Sequence, residues 1–101
     1  MVVEFSLVPL GRGDELAGPV AKLLDIIDRS GLPYKVTAMG TIVEGEWDAV
    51  FALIKECHSK MRQEAGRVLT HIAVDDREGA TGRLEGKVSD AEGLLGRLLK
   101  K

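Results

Sequence analysis

YKVTAMGTIVEGEWDAVFALIKECHSKM, residues 34–61, holds two short strand-like runs followed at once by a long amphipathic one. Tyr34 to Ala38 and Thr41 to Gly45 read as strands, with Met39-Gly40 as the bend between them. From Glu46 the pattern changes period. Trp47, Val50, Phe51, Ile54, Cys57 (or His58) and Met61 recur at helical spacing, and Gly66 stops the run. A hairpin leading straight into a helix is the middle of a β-α-β-β-α-β chain.

The flanks supply the rest. VVEFSLVPL alternates, with Val3, Phe5 and Leu7 on one side and Glu4 and Ser6 on the other. That predicts a strand over Val2 to Val8, ended by Pro9 and the Gly11-Arg12-Gly13 turn. DELAGPVAKLLDIIDRSG then places Leu16, Val20, Leu23, Leu24 and Ile27 on one helical face, with Asp14 as a candidate N-cap and Gly31 as a left-handed terminator. Gly18-Pro19 interrupts its start, so either the first turn is irregular or the helix begins at Pro19. RVLTHIAVDDR is a fourth strand, with Val68, Thr70, Ile72 and Val74 on one face and Leu69, His71 and Ala73 on the other. A polar loop follows through Gly86, then a short helix capped by Ser89.

This order predicts a single α+β domain over residues 1–101: a ferredoxin-like βαββαβ sandwich with an antiparallel four-stranded sheet plus a short C-terminal helix. Both crossover helices cover one face of the sheet. The other face carries Val2, Glu4, Ser6, Leu69, His71 and Ala73, which is too apolar for comfortable exposure, so self-association as a homodimer or homotetramer is expected.

Composition disfavours several function classes. The formal charge of −2 provides no basic field for nucleic acid or an anionic membrane. No apolar run approaches the ~20 residues of a membrane span, and no signal peptide is evident. A lone cysteine, Cys57, forms no intrachain disulfide and suits a reducing, cytoplasmic setting.

Candidate chemistry is sparse. Glu46 and Asp48 are best explained as acids at a helix N-terminus, where they complement the dipole or cap it. Glu44, at a strand end, needs a donor or a cation: either a structural partner or a ligand. Cys57 and His58 are helix neighbours about 100° apart and share neither a metal nor a nucleophile–base geometry. The glycines of Asp75 to Lys87 carry no phosphate-loop pattern. Trp47 and Phe51 fit the core stripe, and Tyr34 either lines a pocket or packs at a strand end. With no base or nucleophile evident, turnover is not expected; a Glu44–His71 acid–base pair is the weakest reading.

Taken together, VPLG (8–11), SGLPYKVTAMGTIVEGEWDAVF (30–51), RVLTHIAVDDR (67–77) and Lys87-Val88 resemble a family of small thiamine-binding proteins of ferredoxin-like fold. The most specific segment is Gly40-Thr41-x-x-Glu44-Gly45. The resemblance implies non-catalytic binding of thiamine or its pyrimidine moiety as a ligand rather than a cofactor. It also implies dimers and tetramers built through the sheets, with pockets near subunit boundaries. Gly40, Thr41, Glu44 and Gly45 carry over as ligand contacts. In chemical terms, Glu44 can accept from the aminopyrimidine or offset the thiazolium charge; Thr41, Ser6 or Thr37 can supply neutral hydrogen bonds, and Tyr34 or Phe5 can contact the rings. On this view Glu44→Gln weakens thiamine binding without unfolding the protein. The alternative is a structural or regulatory oligomer that binds another small effector or a protein partner.

Overall fold

The computed structural model describes residues 1–11, 17–79 and 83–97, with only the backbone described for 85–89. Four strands and three helices alternate as β1 (Val2–Leu10), α1 (Ala17–Arg29), β2 (Tyr34–Thr37), β3 (Gly40–Glu44), α2 (Trp47–Glu64), β4 (Arg67–Asp75) and α3 (Arg83–Leu95). The strands form one antiparallel sheet in the order β2-β3-β1-β4, as the ferredoxin-like pattern requires.

Register fixes the two faces. Val3 pairs with Val43 and Val74, and Phe5 with Thr41 and Ile72, so these side chains share the helix-covered face. The core forms where that face meets the helices: Val3, Phe5 and Val43 pack with Leu23, Ile26 and Ile27 of α1 and Val50, Leu53, Ile54, Cys57 and Met61 of α2. On the opposite face Val2 pairs with Glu44 and Asp75, Glu4 with Ile42 and Ala73, and Ser6 with His71.

β2, β3 and β4 differ from the sequence expectation by one or two residues at their ends, and three further boundaries differ for identifiable reasons. β1 runs through Pro9 to Leu10, because beyond Phe5 it has only β4 beside it; a strand with one free edge tolerates a missing N–H. Pro19 falls in the first turn of α1, where N–H groups have no partner within the helix; the candidate cap Asp14 and the Arg12-Gly13 part of the turn lie outside the described residues. The polar loop does not extend through Gly86. α3 already starts at Arg83, so Ser89 lies inside the helix rather than at its cap.

Helix ends follow local chemistry. After Arg29 the Ser30 hydroxyl donates to Ile27 O (2.6 Å) and Gly31 adopts φ +79°, so α1 terminates as its sequence predicts. α2 ends at Glu64, with the Ala65 N–H donating to Met61 O. Glu46 is the residue preceding α2, yet its side chain makes no capping hydrogen bond; together with Asp48 it acts only through charge near the helix N-terminus. Trp47 is not core: it is 57% exposed and stacks on half-buried Phe51 with ring centroids 4.5 Å apart.

Candidate functional site

β1 is nine residues long and β3 only five, so from Ser6 onward the β3-side edge of β1 has no strand opposite it. The β2–β3 turn and α1 close around this gap and leave a cavity of ≈ 250 Å³. Phe5, Ser6, Leu7, Thr37, Gly40 and Thr41 form its sheet wall. Val20, Leu23, Leu24 and Ile27 of α1 line it opposite, and Met39, 84% exposed, stands beside it.

The turn is built to reach this wall. Thr37 Oγ1 accepts from the N–H groups of Met39 (3.2 Å) and Gly40 (3.1 Å) and donates to Gly40 O (2.9 Å). All of its hydrogen-bonding capacity is taken up in the turn, so Thr37 shapes the pocket without offering it a polar group. A Cβ at Gly40 would lie 2.8 Å from the main-chain oxygen of Phe5 and 3.4 Å from Ser6 Cβ; glycine is what lets the turn approach β1. Thr41 is buried among apolar neighbours, and its hydroxyl has no protein partner among the described residues. Neither does the Ser6 hydroxyl. The Thr41 hydroxyl can both donate and accept, inside a setting that is otherwise apolar, whereas Ser6, facing the other side of the sheet, borders the cavity at the free edge of β1.

The structure divides the residues expected to form the site. Ser6, Thr37, Gly40 and Thr41 meet at the cavity, joined by Phe5. Glu44, Gly45 and Tyr34 lie elsewhere. Glu44 is on the opposite face of β3 from Thr41, three residues along, and its carboxylate accepts from the N–H groups of Arg83 (2.8 Å) and Leu84 (3.3 Å). These are first-turn groups of α3, so Glu44 caps a helix remote in sequence and anchors it to the sheet. Gly45 is a packing position: its Cβ would meet Leu32 Cδ2 at 3.1 Å and Val50 Cγ2 at 3.2 Å. Its main chain is tied to Met1, with Gly45 N donating to Met1 O and the N-terminal amine donating to Gly45 O, both at 3.1 Å. The Tyr34 hydroxyl donates to Asp28 Oδ1 (2.8 Å); that bond raises the phenol's pKa, and the half-buried ring packs on the core.

The remaining reactive side chains are engaged or separated. Burial, with a smaller contribution from the neighbouring Glu56 charge, pushes the Cys57 thiol up to about 11, so it stays protonated and inert at neutral pH. His58 Nδ1 lies 2.7 Å from Thr70 Oγ1. Glu44 and His71 share the open face, but their β1 partners are Val2 and Ser6, about 13 Å apart along the strand; they form no acid–base pair. No group of three metal-ligating side chains occurs among the described residues. Nor is any helix among them long and apolar enough to cross a membrane.

What the sequence did not disclose is the apolar half of the cavity and the free edge of β1. The one available sign was the unequal length of the strands: a nine-residue run of alternating pattern beside a five-residue one leaves part of the longer strand without a partner.

Comparison with known proteins places these observations in a group. The family described as thiamine-binding protein matches residues 3–92. A UPF0045 protein of Mycobacterium bovis is 35% identical over 96 residues, covering 94% of each chain. A UPF0045 protein of Methanocaldococcus jannaschii is 31% identical over 88 residues, covering 87% of this chain and 88% of that one. The crystal structure of a hypothetical protein from M. jannaschii superposes with a TM-score of 0.80 at 30% identity, covering 96% of both chains. That of a proposed thiamine biosynthesis/salvage protein from Thermotoga maritima superposes with a TM-score of 0.79 at 27% identity, covering 89% of this chain and 96% of that one.

Proposed function

Because the chain belongs to the thiamine-binding protein family, we propose that it binds thiamine, or the pyrimidine moiety of thiamine, in the cavity between α1 and the free edge of β1, without turning it over. The observation that carries this reading is the convergence of Phe5, Ser6, Gly40 and Thr41 on one small, mostly apolar space. At ≈ 250 Å³ the cavity falls just under the ~300–1,000 Å³ typical of drug-sized ligands, which suits a single ring better than a whole phosphorylated cofactor. The aminopyrimidine is the part that fits. Its ring nitrogens accept and its exocyclic amine donates, and the Thr41 hydroxyl, on the helix-covered face of the sheet, can meet either requirement. Phe5 and the leucines of α1 supply the apolar contact, while the cationic thiazolium stays towards the rim.

Self-association belongs to the same proposal. Val8, Leu10 and Leu69, 37–46% exposed, lie on the face away from α1 and α2, and a second copy covering that part of the face would remove them from water. A reduced, cytoplasmic setting is consistent with the lone buried Cys57.

A thermal-shift and calorimetric series with thiamine, its phosphates and hydroxymethylpyrimidine tests the proposal. A specific ligand at a hundredfold its Kd adds about 2.7 kcal/mol of apparent stability. The expected result is stabilisation by thiamine and by hydroxymethylpyrimidine, with no product formed. Absence of stabilisation by every member of the series would rule the reading out.

A further inference from the structure

A second cavity, ≈ 390 Å³, lies between α2 and the edge strand β4, away from the first. It follows from helical arithmetic. Phe51, Lys55 and Ser59 succeed one another at four-residue steps, with Ile54 and His58 on the adjoining row, and this side of α2 faces Thr70 and Ile72 of β4. β4 is an edge strand, so no neighbouring strand draws another helix over it, and Ile72 remains 42% exposed. The Trp47 ring, stacked on Phe51, extends the apolar wall by one helical turn.

The polar groups here differ in kind from those at the first cavity. Among the described residues no carboxylate lines the space, and the one obligate cation there, Lys55, has no ion-pair partner. His58 Nδ1 and Thr70 Oγ1 are joined at 2.7 Å, which fixes the imidazole and leaves its Nε2 edge as a further polar group; Ser59 adds a hydroxyl. By contrast, the outer groove between α1 and α2 interleaves Lys22, Arg29 and Lys60 with Asp25 and Glu56, and two of its cations are ion-paired, Lys22 with Glu64 and Arg29 with Asp25.

We propose that the α2–β4 cavity is a second binding site, for an organic carboxylate with an aromatic or branched apolar body. The carboxylate accepts from Lys55, Ser59 and the His58–Thr70 pair, and the body lies on Phe51, Ile54 and Ile72. Lys55 disfavours a cation in this space, which separates the site from the one proposed for thiamine.

Phenylacetate serves as the probe and phenylacetamide as its uncharged counterpart. The readouts are the fluorescence of Trp47, the chain's single tryptophan, and amide shifts of the isotopically labelled full chain. Phenylacetate is expected to give a saturable response at Ile54, His58, Thr70 and Ile72. Lys55→Gln is expected to weaken it about fivefold, the scale of one exposed charge contact, while thiamine binding stays unchanged. Three results would each overturn the proposal: no saturable response at millimolar phenylacetate, equal binding of phenylacetamide, or shifts confined to the cavity beside α1. Because the two sites are read from different residues, failure of one leaves the other separately judged.

Discussion

Replacing Glu44 by glutamine separates the two roles a carboxylate at this position can have. In the structure both carboxylate oxygens accept main-chain N–H groups from the first turn of α3, at 2.8 and 3.3 Å. Glutamine keeps one acceptor oxygen but turns an amide NH2 towards the other N–H and removes the negative charge from the positive end of the helix. Loss of a capping acceptor costs about 0.5–2 kcal/mol, and loss of the charge about 0.3–1 kcal/mol. The combined effect on the docking of α3 is therefore about 1–3 kcal/mol, a roughly five- to 150-fold rise in its undocked population. Amide hydrogen exchange should register this as faster exchange in α3, with Val3 and Val43 in the sheet core unaffected. Thiamine affinity should move by less than about threefold, within what a remote one-residue change produces. Unchanged exchange in α3 with a tenfold loss of thiamine affinity would refute this reasoning and return Glu44 to the ligand site.

Thr41→Val keeps the shape of the side chain and removes the hydroxyl; calorimetry should show about five- to tenfold weaker thiamine binding, the scale of one net hydrogen bond, with the melting temperature little changed. Gly40→Ala drives a Cβ to 2.8 Å from the Phe5 carbonyl oxygen, and urea denaturation should find the variant about 1–3 kcal/mol less stable. Cys57 should resist thiol reagents at pH 8 in the folded protein and react fully in urea. Its thiol is raised in the folded state from 9.0 to about 11, so the folded state holds the proton longer than the unfolded one. Stability due to this group is therefore complete below pH 9 and falls as the pH rises from 9 to 11, and Cys57→Ala should remove that part of the decline.

The fold was legible because each element carries its own period. The alternation of β1 and β4, the hairpin bend, expected at Met39-Gly40 and found one residue earlier at Ala38-Met39, and the Val50-to-Met61 stripe of α2 all point to one topology. The departures have local causes. Trp47 keeps the helical spacing of a core residue, but it begins α2 at the margin of the sheet, where little lies above it. The start of α3 depends on Glu44, 39 residues earlier in the chain, and a cap supplied from that distance has no signature in the helix's own sequence. The candidate site was legible in part for a similar reason. Gly40 and Thr41 open β3 beside the turn that closes the cavity, whereas Glu44 and Gly45, in the same motif, lie at and just past its far end. Proximity in sequence along a strand does not place side chains on one face.

Amide and methyl shift mapping of thiamine onto the labelled chain tests the central claim most directly, because it reads the location of binding as well as its existence. Saturable shifts centred on Phe5, Ser6, Gly40, Thr41 and Leu23 are the predicted result. Saturable binding that leaves these residues undisturbed, with shifts centred instead on Glu44 and the first turn of α3, would contradict it.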